Sequence, residues 1–178
     1  KFQVAAQALH HHQNTFHREN GSETILITGC SEGGIGDALA KTFHKKSLRV
    51  FASALNTAKV QHLKDMGLEI VQLDVTDKES IKKAVSTVKA ATGGYLDIPV
   101  NNSSAGSYSM SLLDLDVSVA KNMFNVNVFA VVTVTQAFAP PEIASKGTFI
   151  KHRVGGRQNA IPMAWILQRK QSCSCYYD

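Results

Sequence analysis

The chain has 178 residues, 44% hydrophobic and 19% charged, with a formal charge of +5 at pH 7. That length suits one domain with a real core, and the composition excludes intrinsic disorder, collagen-like repeats and, with only three cysteines, a disulfide framework. Residues 1–150 hold fourteen Lys and Arg against thirteen Asp and Glu, so the excess charge sits in residues 151–178, and no nucleic-acid partner is expected from so local a bias.

Residues 1–22 read as a flexible arm. His10, His11, His12 and His17 lack companion carboxylates or cysteines at ligand spacing, so no metal site is expected. Val4–Leu9, interrupted by Gln7, is too short for a signal-peptide core. No apolar run approaches the ~18–20 residues of a membrane span. A reducing, intracellular, cytoplasmic setting follows as the expectation.

Thr24–Thr28 is a short, β-branched apolar run, a buried strand ended by Gly29. Asp37–Lys46 reads as an amphipathic helix with Leu39 and Phe43 inward and Ile35 preceding on the same face. Arg49–Ser53 predicts a second strand, and Thr57–Met66 a helix with Val60 and Leu63 inward. Leu68–Leu73 is a third strand. Asp77 caps a helix carrying Ile81, Val85 and Val88 until Gly93–Gly94 stops it. Leu96–Val100 is a fourth strand, although Pro99 lacks an N–H. A long helix spans Val117–Phe138, and Gly147–Ile150 opens a fifth strand.

Strands alternating with helices mean right-handed βαβ units and a parallel sheet covered on both faces. The fold class is α/β: a Rossmann-like doubly wound sheet, with four complete strands in the order 3-2-1-4 and part of a fifth. It occupies residues 23–150. Ligands of such sheets sit beyond the carboxyl ends of the strands.

Thr28-Gly29-Cys30-Ser31-Glu32-Gly33-Gly34-Ile35-Gly36 joins the first strand to the first helix. Glycines let a phosphate approach the backbone, and the helix start offers free N–H groups and a positive dipole end. Tight helix packing would also use glycine, but the place of the turn, first in a βαβ series, favours phosphate. A free ribose 2′-hydroxyl usually meets an Asp or Glu at the end of the second strand. Here that end reads Ala52-Ser53-Ala54-Leu55-Asn56. The missing carboxylate favours NADP(H) over NAD(H), with Ser53, Asn56 or Lys59 open to the 2′-phosphate.

Thr28–Gly36, Leu73-Asp74-Val75, Asn101-Asn102 and Asn125-Val126-Asn127-Val128 resemble the ordered signature segments of the short-chain dehydrogenase/reductases. Leu26–Phe43, Val131–Pro140 and Ile143–Thr148 are similar to the fungal NADPH-dependent 1-acyldihydroxyacetone-phosphate reductases within that family. By this resemblance Gly29, Ser31, Gly33, Gly34 and Gly36 would hold the pyrophosphate, with Ile35 against the cofactor. Asp74 and Val75 would contact the adenine, and Asn101 and Asn102 would line the adenosine ribose. Asn127 would be the helix asparagine of the catalytic tetrad. On the residues alone, Asp74 could instead cap a turn and Asn127 be a satisfied polar group. The resemblance also implies a homo-oligomer and peripheral association with endoplasmic reticulum or lipid droplets. Departures include Ser103-Ser104 before Ala105-Gly106, Leu55 where an arginine is common, and Pro99 inside a strand.

The family's chemistry needs a tyrosine acid, a lysine four residues later that lowers its pKa, and a serine about thirteen residues earlier, just after the fifth strand. After Ile150 the chain reads Lys151-His152-Arg153-Val154-Gly155-Gly156, and no later tyrosine has a lysine four places on. One permitted codon choice for residues 151–178, read one base later, yields NIGSVGGKMPYPWHGYYNASKAVHAIT. That string carries the serine and, thirteen positions later, the tyrosine of a YxxxK. Two of its residues are forced: Met163-Ala164 yields only tryptophan in that phase, and Trp165-Ile166 only glycine. Residues 151–178 are therefore expected to be an aberrant tail after a shift of reading frame.

The expectation is an NADP(H)-dependent oxidoreductase reducing the ketone of a lipid precursor, inactive in this form. A non-catalytic dinucleotide-binding or protein-interaction module, or a non-functional truncated product, stand as alternatives.

Overall fold

The computed structural model describes residues 22–105 and 111–151. The arm proper and the tail beyond Lys151, with every expectation placed on them, lie outside the described residues. Five parallel strands form one sheet in the order β3-β2-β1-β4-β5. They are β1 (Thr24–Ile27), β2 (Arg49–Ala54), β3 (Glu69–Gln72), β4 (Ile98–Asn101) and β5 (Ile150–Lys151). The expected order and the partial fifth strand are both present.

Alternation along the strands divides the core into two layers. Ile25 and Ile27 of β1 face α1 (Ile35–Lys45) and α2 (Gln61–Asp65), packing with Leu39, Phe43, Val60 and Leu63. Leu26 of β1 and Phe51 of β2 face the other way. They meet Ile81 and Val88 of α3 (Lys78–Thr92) and Val134 and Phe138 of α5 (Ala130–Ser145). Asp97 closes the amino end of the sheet, accepting from both Thr24 N (2.8 Å) and Thr24 Oγ1 (2.7 Å).

Several local expectations change. Ile35 does not continue the inward stripe of Leu39 and Phe43; it is 48% exposed. The first turn of α1 stands beyond the end of the strands, where the stripe has no sheet left to cover. The 57–66 helix divides into a 3-10 turn, Thr57–Val60, and the short α2, with Asn56 capping the turn through Ala58 N. Asp77 caps α3 through Glu79 N and Ser80 N, and Gly93 ends it in the left-handed conformation, as expected.

Pro99 is tolerated for a directional reason. Val100 O accepts Thr28 N–H from the β1 side, so the nitrogen of Pro99, one residue earlier, faces the edge strand β5, whose ladder starts at Ile150 and whose preceding bond, Thr148 N to Asp97 O, asks no donor of Pro99. The long helix runs past its expected end, through Pro140 and Pro141 to Ser145. Leu96 N donates to Pro141 O at 3.1 Å and Ser145 Oγ to Leu96 O at 2.7 Å, so tertiary bonds hold the turn that the prolines weaken.

The same helix begins at α4 (Val117–Phe124) and passes through a π-helical turn at Asn125–Phe129. The unbroken helical stretch Val117–Ser145 contains an 18-residue window of mean hydropathy 1.4, long and apolar enough to cross a membrane by length and composition, which the sequence reading did not anticipate. Its length and apolar content have a local use: Ala130, Val131, Val134 and Phe138 pack against the sheet side, while Phe124, Phe129 and Ile143 stand exposed on other faces.

Candidate functional site

The site forms where β1, β2 and β4 end, and the glycine turn defines its floor. Gly29 (φ +73°) and Gly33 (φ +75°) adopt the left-handed region that glycine alone enters without strain. A Cβ on Gly36 would collide with Gly29 O and lie 2.6 Å from Asn102 Nδ2, so α1 can approach β4 this closely only through glycine. Nothing lies within 4 Å of a Cβ built on Gly33. The first intrahelical bond of α1 runs from Ala38 N to Gly34 O, leaving the amides of Ile35, Gly36 and Asp37 ahead of the ladder. Open glycine backbone, early helix amides and a positive dipole end are what a diphosphate needs, so these residues fit a dinucleotide.

Thr28 and Asn102 lock the turn to β4. Thr28 Oγ1 accepts from Asn102 N and Ser103 N, each at 2.9 Å, and donates to Val100 O at 3.3 Å. Asn102 Nδ2 donates to Thr28 O (2.8 Å) and Gly29 O (3.1 Å). Asn101 turns the opposite way, its Nδ2 donating to Thr135 Oγ1 at 2.9 Å on α5. Val75, Asn101 and Ser103 share one narrow cleft with Thr28, Val126 and Val131.

On the β2 side the predicted residues divide. Ser53 is 1% exposed and its Oγ donates to Ile27 O, so its hydroxyl joins β1 to β2 and does not face the cleft. Asn56 and Lys59 are exposed at the end of β2. Asp74 accepts from Thr76 N (2.8 Å) and Thr76 Oγ1 (2.7 Å), the turn-capping arrangement that was the plainer of its two readings. Ser31 O accepts from Gly34 N, which shapes the turn. Ile35 stands uncovered beside it, and burial is what an apolar side chain there would gain from a cofactor.

Asn127 lies in the π-helical turn, a distortion frequent at functional sites. Its Oδ1 accepts from Ala105 N at 2.9 Å and its Nδ2 donates to Ala105 O at 3.4 Å, holding the loop after β4. Lys151 ends β5 opposite Asn101, and burial lowers its ammonium below the ordinary lysine range.

Three residues that tie the site together escaped the sequence reading. Thr28 opens the Thr28–Gly36 segment, but nothing local marks its bonds to Asn102 and Ser103. Asp37 was seen only as a helix residue, yet it is 5% exposed and takes hydrogen bonds from Gly33 N (3.2 Å) and Lys41 Nζ (2.9 Å), with His62 Nε2 at 2.7 Å. Burial alone would raise its carboxyl, but the bonds from His62, Lys41 and Gly33 outweigh it and hold the group below the usual range. His62, the third, lies twenty-five positions from its partner, a separation that no local pattern marks. Cys30 is buried, and burial pushes its thiol up to about 12, with the Asp37 charge adding to the rise. Among the described residues no cluster of His, Cys, Asp and Glu could hold a metal ion.

A family model described as short chain dehydrogenase matches residues 23–153. The chain belongs to the short-chain dehydrogenase family. It is 48% identical over 127 residues to the short-chain dehydrogenase cctT of Talaromyces islandicus, covering 71% of this chain and 44% of that protein. It is 36% identical over 141 residues to an NADPH-dependent 1-acyldihydroxyacetone phosphate reductase of Schizosaccharomyces pombe, covering 79% and 47%. A metagenomic short-chain oxidoreductase crystallised in complex with NADP aligns with a TM-score of 0.66 at 27% identity, over 78% of this chain and 64% of that one. The KRED1-Pglu enzyme aligns with a TM-score of 0.70 at 25% identity, over 75% and 57%. This short-chain dehydrogenase chain thus spans about half the length of the curated relatives it matches.

Proposed function

We propose that residues 23–151 form the cofactor-binding half of an NADP(H)-dependent short-chain dehydrogenase/reductase, and that this chain binds the dinucleotide without reducing a ketone. The observation that carries the reading is the glycine turn between β1 and α1, set beside a β2 end that presents Asn56 and Lys59 and no carboxylate. A 2′-phosphate meets a cation and an amide there, where a carboxylate would repel it. Gly29, Gly33, Gly34 and Gly36 hold the diphosphate. Ile35 covers the nicotinamide side, and Asn102 keeps the turn in shape. When bound, the nicotinamide supplies hydride. Asn127 is the tetrad member present, and the sequence from Lys151 on supplies neither the serine nor the Tyr-x-x-x-Lys needed to polarise and protonate a carbonyl.

The substrate class is the ketone of an acylated dihydroxyacetone phosphate, supported by the 36% identity to the fission-yeast reductase. The higher identity to cctT names no substrate, and a different ketone is the competing assignment. A frame shift near Lys151 is the proposed origin of the missing chemistry, because family similarity stops at residue 153 while the chain continues to 178.

Calorimetric titration of the full chain with NADPH and NADH tests the reading. Saturable binding that favours NADPH is expected, with no NADPH oxidation on adding a 1-acyldihydroxyacetone phosphate. Absence of binding refutes the cofactor assignment, and turnover refutes the claim that the proton donor is missing. Sequencing the nucleotides for residues 151–178 tests the frame shift: bases that give no serine and Tyr-x-x-x-Lys in a neighbouring phase exclude it.

A further inference from the structure

Two loops must keep a fixed spacing if one cofactor is to reach both: the glycine turn after β1 and the 3-10 turn after β2. Three bonds join the glycine turn and α1 to β2 and the segment that follows it. Cys30 N donates to Ser53 O at 2.8 Å and Glu32 N to Lys59 O at 3.1 Å, and both are backbone bonds indifferent to side-chain identity. The third joins α1 to α2 through side chains, Asp37 Oδ1 to His62 Nε2 at 2.7 Å. The other oxygen of Asp37 holds Gly33 N, so one carboxylate touches the glycine turn and the β2 segment together.

The β2 segment needs such a tether. Its helix α2 has five residues, too few to be stable alone. Val60 and Leu63, both fully buried, fix its depth against the sheet, and the Glu32 N–Lys59 O bond holds its entry to the glycine turn. His62 stands three residues after Lys59 and six after Asn56, beyond the Lys59 carbonyl that Glu32 N holds, so the Asp37 contact fixes the far side of the same segment. A carboxylate so near an anion-binding turn would oppose the ligand if left uncompensated. Lys41 Nζ at 2.9 Å and His62 flank it, from α1 and α2.

We infer that Asp37 and His62 are the positioning pair for the 2′-phosphate end of the cofactor, setting Asn56 and Lys59 at the distance from the glycine turn that distinguishes NADP(H) from NAD(H). The inference rests on the NADP(H) reading above and adds the source of its selectivity. Neither side chain touches the cofactor; both act through the segments they join.

The test measures NADPH and NADH affinity of the full chain by calorimetry, with thermal unfolding of each variant alongside. His62→Leu is expected to weaken NADPH by about tenfold, the scale of one hydrogen bond to a charged group, and NADH by less than about threefold. His62→Gln, whose amide still donates toward Asp37, is expected to recover most of the loss. Should His62→Leu fail to fold, His62→Asn, polar but too short to reach, takes its place with the same expected loss of selectivity. An equal loss for both nucleotides, or an unchanged ratio between them, overturns the inference while leaving the NADP(H) reading standing. A wild-type chain that binds neither nucleotide, or shows no preference for NADPH, overturns both.

Discussion

Asn127 reaches from the π-helical turn of the long helix to the backbone of Ala105, filling both its N–H and its carbonyl at 2.9 and 3.4 Å. One side chain thereby fixes the first residues after β4 against the helix that follows. Replacing Asn127 by Ala leaves a half-buried amide and carbonyl without their partners, at a cost of about 1–3 kcal/mol. Urea denaturation should show a lower midpoint with an unchanged slope. Asn127→Asp should be worse than its size suggests, because a carboxylate would face Ala105 O where an amide donated.

Gly36→Ala should be among the most damaging single-methyl additions in the domain. Its Cβ would collide with Gly29 O and crowd Asn102 Nδ2, neither of which is the free end of a flexible chain. Helix α1 must then move off β4, taking its early amides from the diphosphate. A loss of NADPH affinity of more than about tenfold is expected, with a destabilisation of roughly 1–3 kcal/mol from overpacking. Calorimetric titration and thermal unfolding of the variant check both halves. Gly33→Ala is the contrast: there the strain lies in the positive φ alone, with no neighbour to strike.

Much of this arrangement was legible because its causes are local. Asp77 and Gly93 bracket α3 through capping and a left-handed stop, rules that act over a few residues. The βαβ rhythm announced the parallel sheet, and the order 3-2-1-4 came with the Rossmann-like fold class. What escaped was set by contacts far apart in the chain. Thr28 serves residues just after β4, seventy-four and seventy-five positions away, and nothing in a strand-ending threonine announces that. Periodicity placed Ile35 inward because it counts turns of helix and cannot see where the sheet stops. The long helix was expected to span Val117–Phe138, yet Leu96 and Ser145 supply bonds that carry it through Pro140 and Pro141. The Asp37–His62 contact depends on how two separate helices sit, so only the assembled fold displays it.

Asp37 gives a pH signature with a definite sign. Its carboxyl lies below 3.8 in the folded chain, so the unfolded chain binds the proton more readily. The stabilisation is complete above 3.8 and is lost as pH falls through the depressed folded value. Asp37→Asn should therefore lower stability by about 1–3 kcal/mol at neutral pH, and the gap to the parent chain should narrow as the solution is acidified below about 4. Denaturation series at pH 7 and in the acid range measure the narrowing. A gap independent of pH would mean that the residue acts through shape alone.

Lys151 has the opposite character, since burial at the end of β5 lowers its ammonium and its charge opposes folding. The folded chain releases this proton before the unfolded chain does. Stability should accordingly rise with pH between the depressed folded value and 10.5, where the unfolded lysine titrates. Lys151→Asn, the residue that the shifted reading frame places there, removes the penalty. It should raise the thermal midpoint at neutral pH by on the order of a few degrees and abolish the alkaline gain. Melting curves of both chains at pH 7 and pH ~10 decide the matter. A variant that melts lower than its parent would show that the ammonium is stabilised by a neighbour, and that the present end of β5 is adapted to lysine.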